Sequence, residues 1–190
     1  MPIENSQATD TVSAGLIANP NSTEMVGAGG IYTVECVGAD GKVKWTDTFH
    51  NRVMSTGVQD MNAKYFSGAS YTATPFLGLV TGPGSGNTFA FADILASHAG
   101  WTENAGYVGA RKAAAFGTAT TANPSVITNS GSPASFAMNA TSTVAGAFLC
   151  NVSSGTSGIL FSAGNFVAGD KPVQNGDTLN VTYTFSLTAT

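Results

Sequence analysis

The chain has 190 residues, of which only 9% are charged against the roughly 25% usual for soluble domains, while Gly alone supplies 23. Seven Lys and Arg against eleven Asp and Glu leave a formal charge of −4, and the first basic residue is Lys42, so neither a nucleic acid nor an acidic lipid surface is an expected partner. Proton transfer, metal binding and phosphate neutralisation all need ionisable groups, so this composition argues against an enzyme and for a part whose work is contact.

A chain of this length buries roughly 70% of its unfolded surface, which predicts one domain with one full core. Thr, Ser, Ala, Val and Gly are plentiful and Leu, Lys and Glu scarce, a balance that disfavours long helices and favours short strands. The opening Met1-Pro2-Ile3-Glu4-Asn5 lacks the basic and apolar regions of a signal peptide, and no run approaches the roughly 18 apolar residues of a membrane span. Cytoplasmic synthesis and no membrane partner are therefore expected. Cys36 and Cys150 lie far apart in apolar strand patterns and form no C-x-x-C, so buried free thiols are expected rather than zinc or a redox pair.

Residues 1–30 contain no aromatic and end in Gly27-Ala28-Gly29-Gly30, with apolar residues too sparse for a sustained period. They read as an extended arm, either a frayed terminus or a strap that orders against a neighbouring subunit. Its candidate interface residues are Ile3, Leu16, Ile17, Met25 and Val26. From Ile31, Tyr32, Val34 and Cys36 alternate with Thr33 and Glu35; Ala39-Asp40-Gly41-Lys42 intervenes, and Val43 and Trp45 alternate with Lys44 and Thr46. This predicts a β-hairpin with a tight Asp-Gly turn and Trp45 on the core side.

Met54, Val58, Met61 and Tyr65 recur at helical spacing, Thr56 and Gln59 have the spacing of a capping box, and Gly68 stands where a helix stops. Pro75 to Val80 is an apolar run suited to a buried strand, Gly82 to Asn87 a loop, and Phe91 to Leu95 one helical turn. Strands are expected at Ala113 to Thr118, Ser135 to Asn139, Val144 to Val152 and Gly158 to Phe161. Asn175-Gly176-Asp177 turns the chain into a last strand in which Leu179, Val181, Tyr183, Phe185 and Leu187 alternate with polar residues. Some eight strands without a βαβ rhythm predict an all-β fold, an antiparallel β-sandwich of jelly-roll type with one short helix, spanning residues 31–190.

Candidates for chemistry are thin. His50 closes a strand and His98 orders a loop; no G-x-S-x-G accompanies His98 and Glu103, and no phosphate-binding loop follows Gly84-Ser85-Gly86. Asp40, Asp170 and Asp177 stand beside Gly in turns, where a short carboxylate caps backbone N–H groups. No cofactor or metal is expected. Trp101 follows Gly100 in a predicted loop, where it either anchors an interface or plugs one end of the sandwich, and Tyr107 lies close behind as a second interface candidate.

Several stretches carry a resemblance. They are Phe49-His50-Asn51, Gly57-x-x-Asp60, Lys64-Tyr65-Phe66-x-Gly68, Tyr71-Thr72-Ala73, Ser97 to Glu103, Gly169-Asp170-Lys171 and Asn175 to Thr182. Together they resemble a family of tailed-bacteriophage virion proteins, most like jelly-roll head decoration, or cement, proteins. The resemblance covers roughly residues 31–190 and brings no catalytic residues with it. It implies a homo-oligomer, a dimer or trimer, that binds the major capsid protein on the exterior of the virion after synthesis in the host bacterial cytoplasm. The alternative it leaves open is a tail or tail-fibre protein that binds host surface glycan through a cleft containing His98, Trp101 and Tyr107.

Overall fold

The computed structural model describes residues 25–71 and 74–189, so Ile3, Leu16 and Ile17 lie outside the described residues. In chain order the elements are β1 (Val26–Val37), β2 (Val43–His50), β3 (Arg52–Val53), α1 (Ser55–Phe66), β4 (Phe76–Thr81), β5 (Glu103–Asn104) and β6 (Lys112–Ala113). They continue with β7 (Ser125–Thr128), β8 (Ala134–Ala137), β9 (Ser142–Cys150), β10 (Leu160–Asn165), β11 (Lys171–Val173) and β12 (Thr178–Ala189). Two antiparallel sheets pack face to face, as expected for an all-β sandwich with one helix. The first sheet runs β2-β1-β12-β7 with β8 also on β12, and the second runs β3-β10-β9-β4-β5 with β11 on β9 and β6 on β4. Strand β1 begins at Val26, so residues 26–30 of the expected arm belong to the sheet.

Every residue of β1 pairs with β12, from Val26 opposite Ala189 to Val37 opposite Thr178. The alternation read in both strands holds: Tyr32, Val34, Cys36, Leu179, Val181 and Tyr183 are all fully buried. It fades at the far end of β12, where Phe185 is half-buried against Phe161 of β10 and Leu187 is exposed. The other edge of β12 is shared by β7 and β8, and Asn129 fills the gap between them. Its buried side chain accepts from Tyr183 N at 2.7 Å and donates to Val181 O at 3.1 Å, replacing the ladder bonds that the interrupted strand lacks.

The β1–β2 turn departs from the tight two-residue form. Gly41 N donates to Gly38 O, Gly38 N to Lys42 O, and only Gly41 has a positive φ, at 76°. This is a three-residue loop with a left-handed glycine, which leaves Asp40 in ordinary backbone space with its carboxylate on Lys42 N. One residue further the register jumps: Cys36 faces Trp45 and Val37 faces Val43, so Lys44 is bulged out. The bulge breaks the expected phase between Val43 and Trp45, leaving Val43 exposed while Trp45 packs half-buried against the core.

The second sheet is covered on both faces. Along β9, Val144, Ala147 and Leu149 face the first sheet, whereas Ala145, Phe148 and Cys150 face the helix and the 82–101 loop. Two clusters thus share one sheet, which is why β9 reads as a nearly unbroken apolar run. Gly78 leaves a slot for the Phe148 ring, and Gly146 lies so close to the β10 backbone that a Cβ there would strike Gly164 O. Helix α1 sits on β10 through Gly57, whose Cβ would lie 2.7 Å from Phe161 O.

The expected capping box is absent, because the helix begins at Ser55 with Met54 as its N-cap and Thr56 already lies inside it, its Oγ1 donating to Leu160 O at 2.7 Å. Gly68, with φ 65°, does end the helix. The helical turn expected at Phe91 to Leu95 is a tight turn closed by Asp93 N to Ala90 O, and the strand expected at Ala113 to Thr118 is reduced to Lys112–Ala113.

Substituting Gly146→Ala forces β9 off β10 and is expected to cost about 1–3 kcal/mol or more, as overpacking does. In a protein this size that lowers the thermal midpoint by about 2–4 °C per kcal/mol in calorimetry. Gly131→Ala, with open space around the new methyl, should leave it unchanged.

Candidate functional site

The residues singled out from sequence do not converge. Trp101 is only 3% exposed and Tyr107 only 5%, so both face inward within this chain, which for Trp101 fits the plugging role better than the interface one. Trp101 lies under the 82–101 loop against Phe148, with Nε1 donating to Asp93 at 3.2 Å and the His98 ring stacked on it at 3.9 Å. His98 Nδ1 is 3.0 Å from Trp101 O, so the histidine does order its loop. Tyr107 packs edge-on against Phe136, and its hydroxyl donates to Glu103. These two aromatics therefore line no open cleft. Met25 and Val26, by contrast, are well exposed at the start of β1, beside exposed Leu187.

The charged side chains are mostly committed to holding the fold. Glu103 takes Arg111 in a two-point bond, with Nε at 2.9 Å and Nη2 at 2.7 Å, and Arg111 also donates to Val152 O. This ties β5 to the segment just after β9. Asp47 is an inward-pointing charge on the outermost strand of the first sheet; it meets Lys171 at 3.4 Å and accepts from Val167 N and Ala168 N. Asp177 does more than cap its turn. Its carboxylate is buried, accepts from Gln174 N and takes Lys44 Nζ at 2.7 Å and 3.0 Å, because the β2 bulge aims Lys44 at it.

Burial alone would raise the Asp177 carboxyl, but the Lys44 and Gln174 bonds outweigh it and hold the group below its ordinary value. The same contact raises Lys44. Cys36 is driven the other way: burial first, then the neighbouring Asp177 charge, push its thiol up to about 11. Cys150 is also raised, chiefly by burial. Both cysteines are free and buried, as their strand patterns imply. A chain of hydroxyls runs through the core, from Tyr32 to Ser162 at 2.8 Å, on to Tyr183 at 3.4 Å, and out to the Asn51 amide at 3.2 Å.

Two surface features among the described residues bear on function. At the end of α1, Tyr65 is 83% exposed, Phe66 78% and Tyr71 64%, the first two rings in edge contact and Lys64 Nζ lying over the third. The expected apolar helix face accordingly fails at Tyr65; Gly57, not an apolar side chain, makes the close contact with the sheet. The second feature is an open cleft of about 380 Å³ where the chain crosses from β2 to β3, lined by His50, Asn51, Arg52, Phe89, Gly164 and Asn165 among others. Nothing in the sequence marked it as a site except the Phe49-His50-Asn51 stretch. Among the described residues no group of three or more His, Cys, Asp or Glu side chains is placed to hold a metal ion, and no helix is long and apolar enough to cross a membrane.

No family model, no curated protein and no solved structure matches this chain.

The Asp177 carboxylate has a lowered folded value, so its stabilisation is complete above the unfolded value near 3.8 and disappears as pH falls through the lower folded one. Asp177→Asn should therefore lower the melting temperature at pH 7 and flatten its acid-side decline, read by circular dichroism from pH 7 to pH 2. With Cys36 near 11, about one thiol in a thousand is ionised at pH 8, and both sulfurs are shielded. Ellman's reagent should thus titrate neither cysteine in the native protein and both in guanidinium; fast native reaction contradicts the packing described.

Proposed function

We propose that this protein is a structural component of a tailed-bacteriophage virion, a head decoration protein that binds the major capsid protein from outside and stabilises the shell as an oligomer. The observation that supports this reading most directly is the exposed Tyr65, Phe66 and Tyr71 cluster on a molecule whose Lys and Arg side chains, all but Arg52, are bonded among the described residues. Aromatic side chains present large contact area at low entropic cost, and they are the residue type most often found at the energetic centre of interfaces. The sandwich supplies a rigid mount for them, since α1 is fixed to β10 at Gly57 and by the Thr56 bond to Leu160 O.

Cement is an additive activity. Each copy contributes a modest contact, but many copies on one shell raise its resistance together, as any ligand that binds only the assembled state does. Such contacts need little charge, which fits a chain with so little of it. Met25 and Val26 at one end of the first sheet offer a second apolar contact for a neighbouring copy or capsid subunit.

Purified protein is expected to co-sediment with expanded, undecorated phage heads and to raise their melting temperature in calorimetry. The double substitution Tyr65→Ser, Phe66→Ser should weaken that binding roughly tenfold or more while leaving the free protein's own midpoint in place. Absence of co-sedimentation by the unmodified protein would end the proposal.

A further inference from the structure

The cleft at the β2–β3 crossing has a lining unlike the rest of the surface. Every Lys and Arg of the chain is described, and six of the seven bond to a carboxylate or a backbone carbonyl. Arg52 does neither among the described residues, and it stands on this cleft beside His50. No Asp or Glu lines the cleft. In a protein of charge −4, the one uncommitted guanidinium and an exposed imidazole have been placed together in a concavity without acids.

The remaining walls are of two kinds. Phe89, half-buried and braced by Trp101 at 5.7 Å, supplies an aromatic surface. Asn51 and Asn165 supply amides, and the two are held differently. Asn165 is fixed on both ends, donating to Gly84 O at 2.9 Å and accepting from Asn87 at 3.1 Å. Asn51 donates to Tyr183 but keeps a buried Oδ1 that has no hydrogen-bond partner. The amides are thus taken up within the fold, and the groups that face a ligand are a braced aromatic, suited to the apolar side of a ring, and a free guanidinium, suited to an attached carboxylate. The volume of about 380 Å³ lies at the small end of ligand sites and suits a single sugar ring.

We infer that this cleft binds a monosaccharide unit bearing a carboxylate, such as a uronic acid. Arg52 takes the carboxylate, with the exposed His50 beside it, and Phe89 lies against the ring. This inference stands apart from the capsid reading, because head binding and sugar binding are measured separately and use different residues.

The test is a titration of the isotope-labelled full chain with glucuronate, glucose and acetate, followed by amide resonances. Glucuronate should shift the amides of His50 to Arg52, Phe89 and Gly164 to Asn165 in a saturable manner at millimolar concentration. Glucose lacks the charge and acetate lacks the ring, so each should bind at least about tenfold more weakly, the share of one charge-assisted contact. Arg52→Gln changes an exposed side chain and should weaken glucuronate about tenfold with the remaining spectrum unchanged. No shifts at these amides, equal binding of acetate, or full affinity in Arg52→Gln overturns the inference.

Discussion

Strand β1 lies along strand β12 over its whole length, and the remainder of the molecule is arranged around that pairing. It joins the two ends of the described chain, so all the intervening strands are enclosed between its partners. Loop closure over such a span is costly but grows only slowly with length, so it is met by many small contributions along the zipper. Those contributions are visible: the Tyr32 and Tyr183 rings meet at 4.6 Å, both bond toward Ser162 in the opposite sheet, and Lys44 reaches Asp177 across the adjoining turn. So many contacts between distant residues give a topology whose folding is slow relative to its size.

The second sheet carries a different burden, since its two faces serve two clusters. Its middle strands cannot alternate apolar with polar, and they use glycine where a neighbour needs space, as Gly78 does for Phe148 and Gly146 does for β10. Around it the structure is divided into short pieces. The outer edge of β4 is split between β5 and β6, and β9 is shared by β10 and β11. Short, interrupted edges of this kind resist uncontrolled strand addition, and the inward Asp47 on β2 acts to the same end. Such edges leave side chains rather than open backbone for contact, in line with the exposed aromatic cluster as the proposed contact.

Local patterns were readable where one element decided its own conformation. The β1–β2 hairpin, the end of α1 at Gly68 and the alternation in β12 all follow from residues within a few positions of one another. Elements of two to four residues, such as β3, β5, β7 and β11, are too short to show any period and exist because a longer strand offers them a partner. The capping box failed for a related reason: docking on β10 starts the helix at Ser55, so Thr56 sits inside it and its hydroxyl serves Leu160 O of a distant strand. Whether Trp101 and Tyr107 face outward or inward was not legible, because a loop position says nothing about what lies beneath the loop.

The sequence by itself determined the class of fold and the poverty of charge, because composition and alternation act locally and need no knowledge of neighbours. Only the tertiary structure decided which polar groups are consumed and which are left over. Lys44 and Asp47 are absorbed by partners far along the chain and Glu103 by Arg111 eight residues on, whereas Arg52 and the ring pair at Tyr65 and Phe66 are not. A side chain's availability depends on what three-dimensional packing brings within hydrogen-bond or van der Waals reach, and no spacing in the sequence encodes that distance.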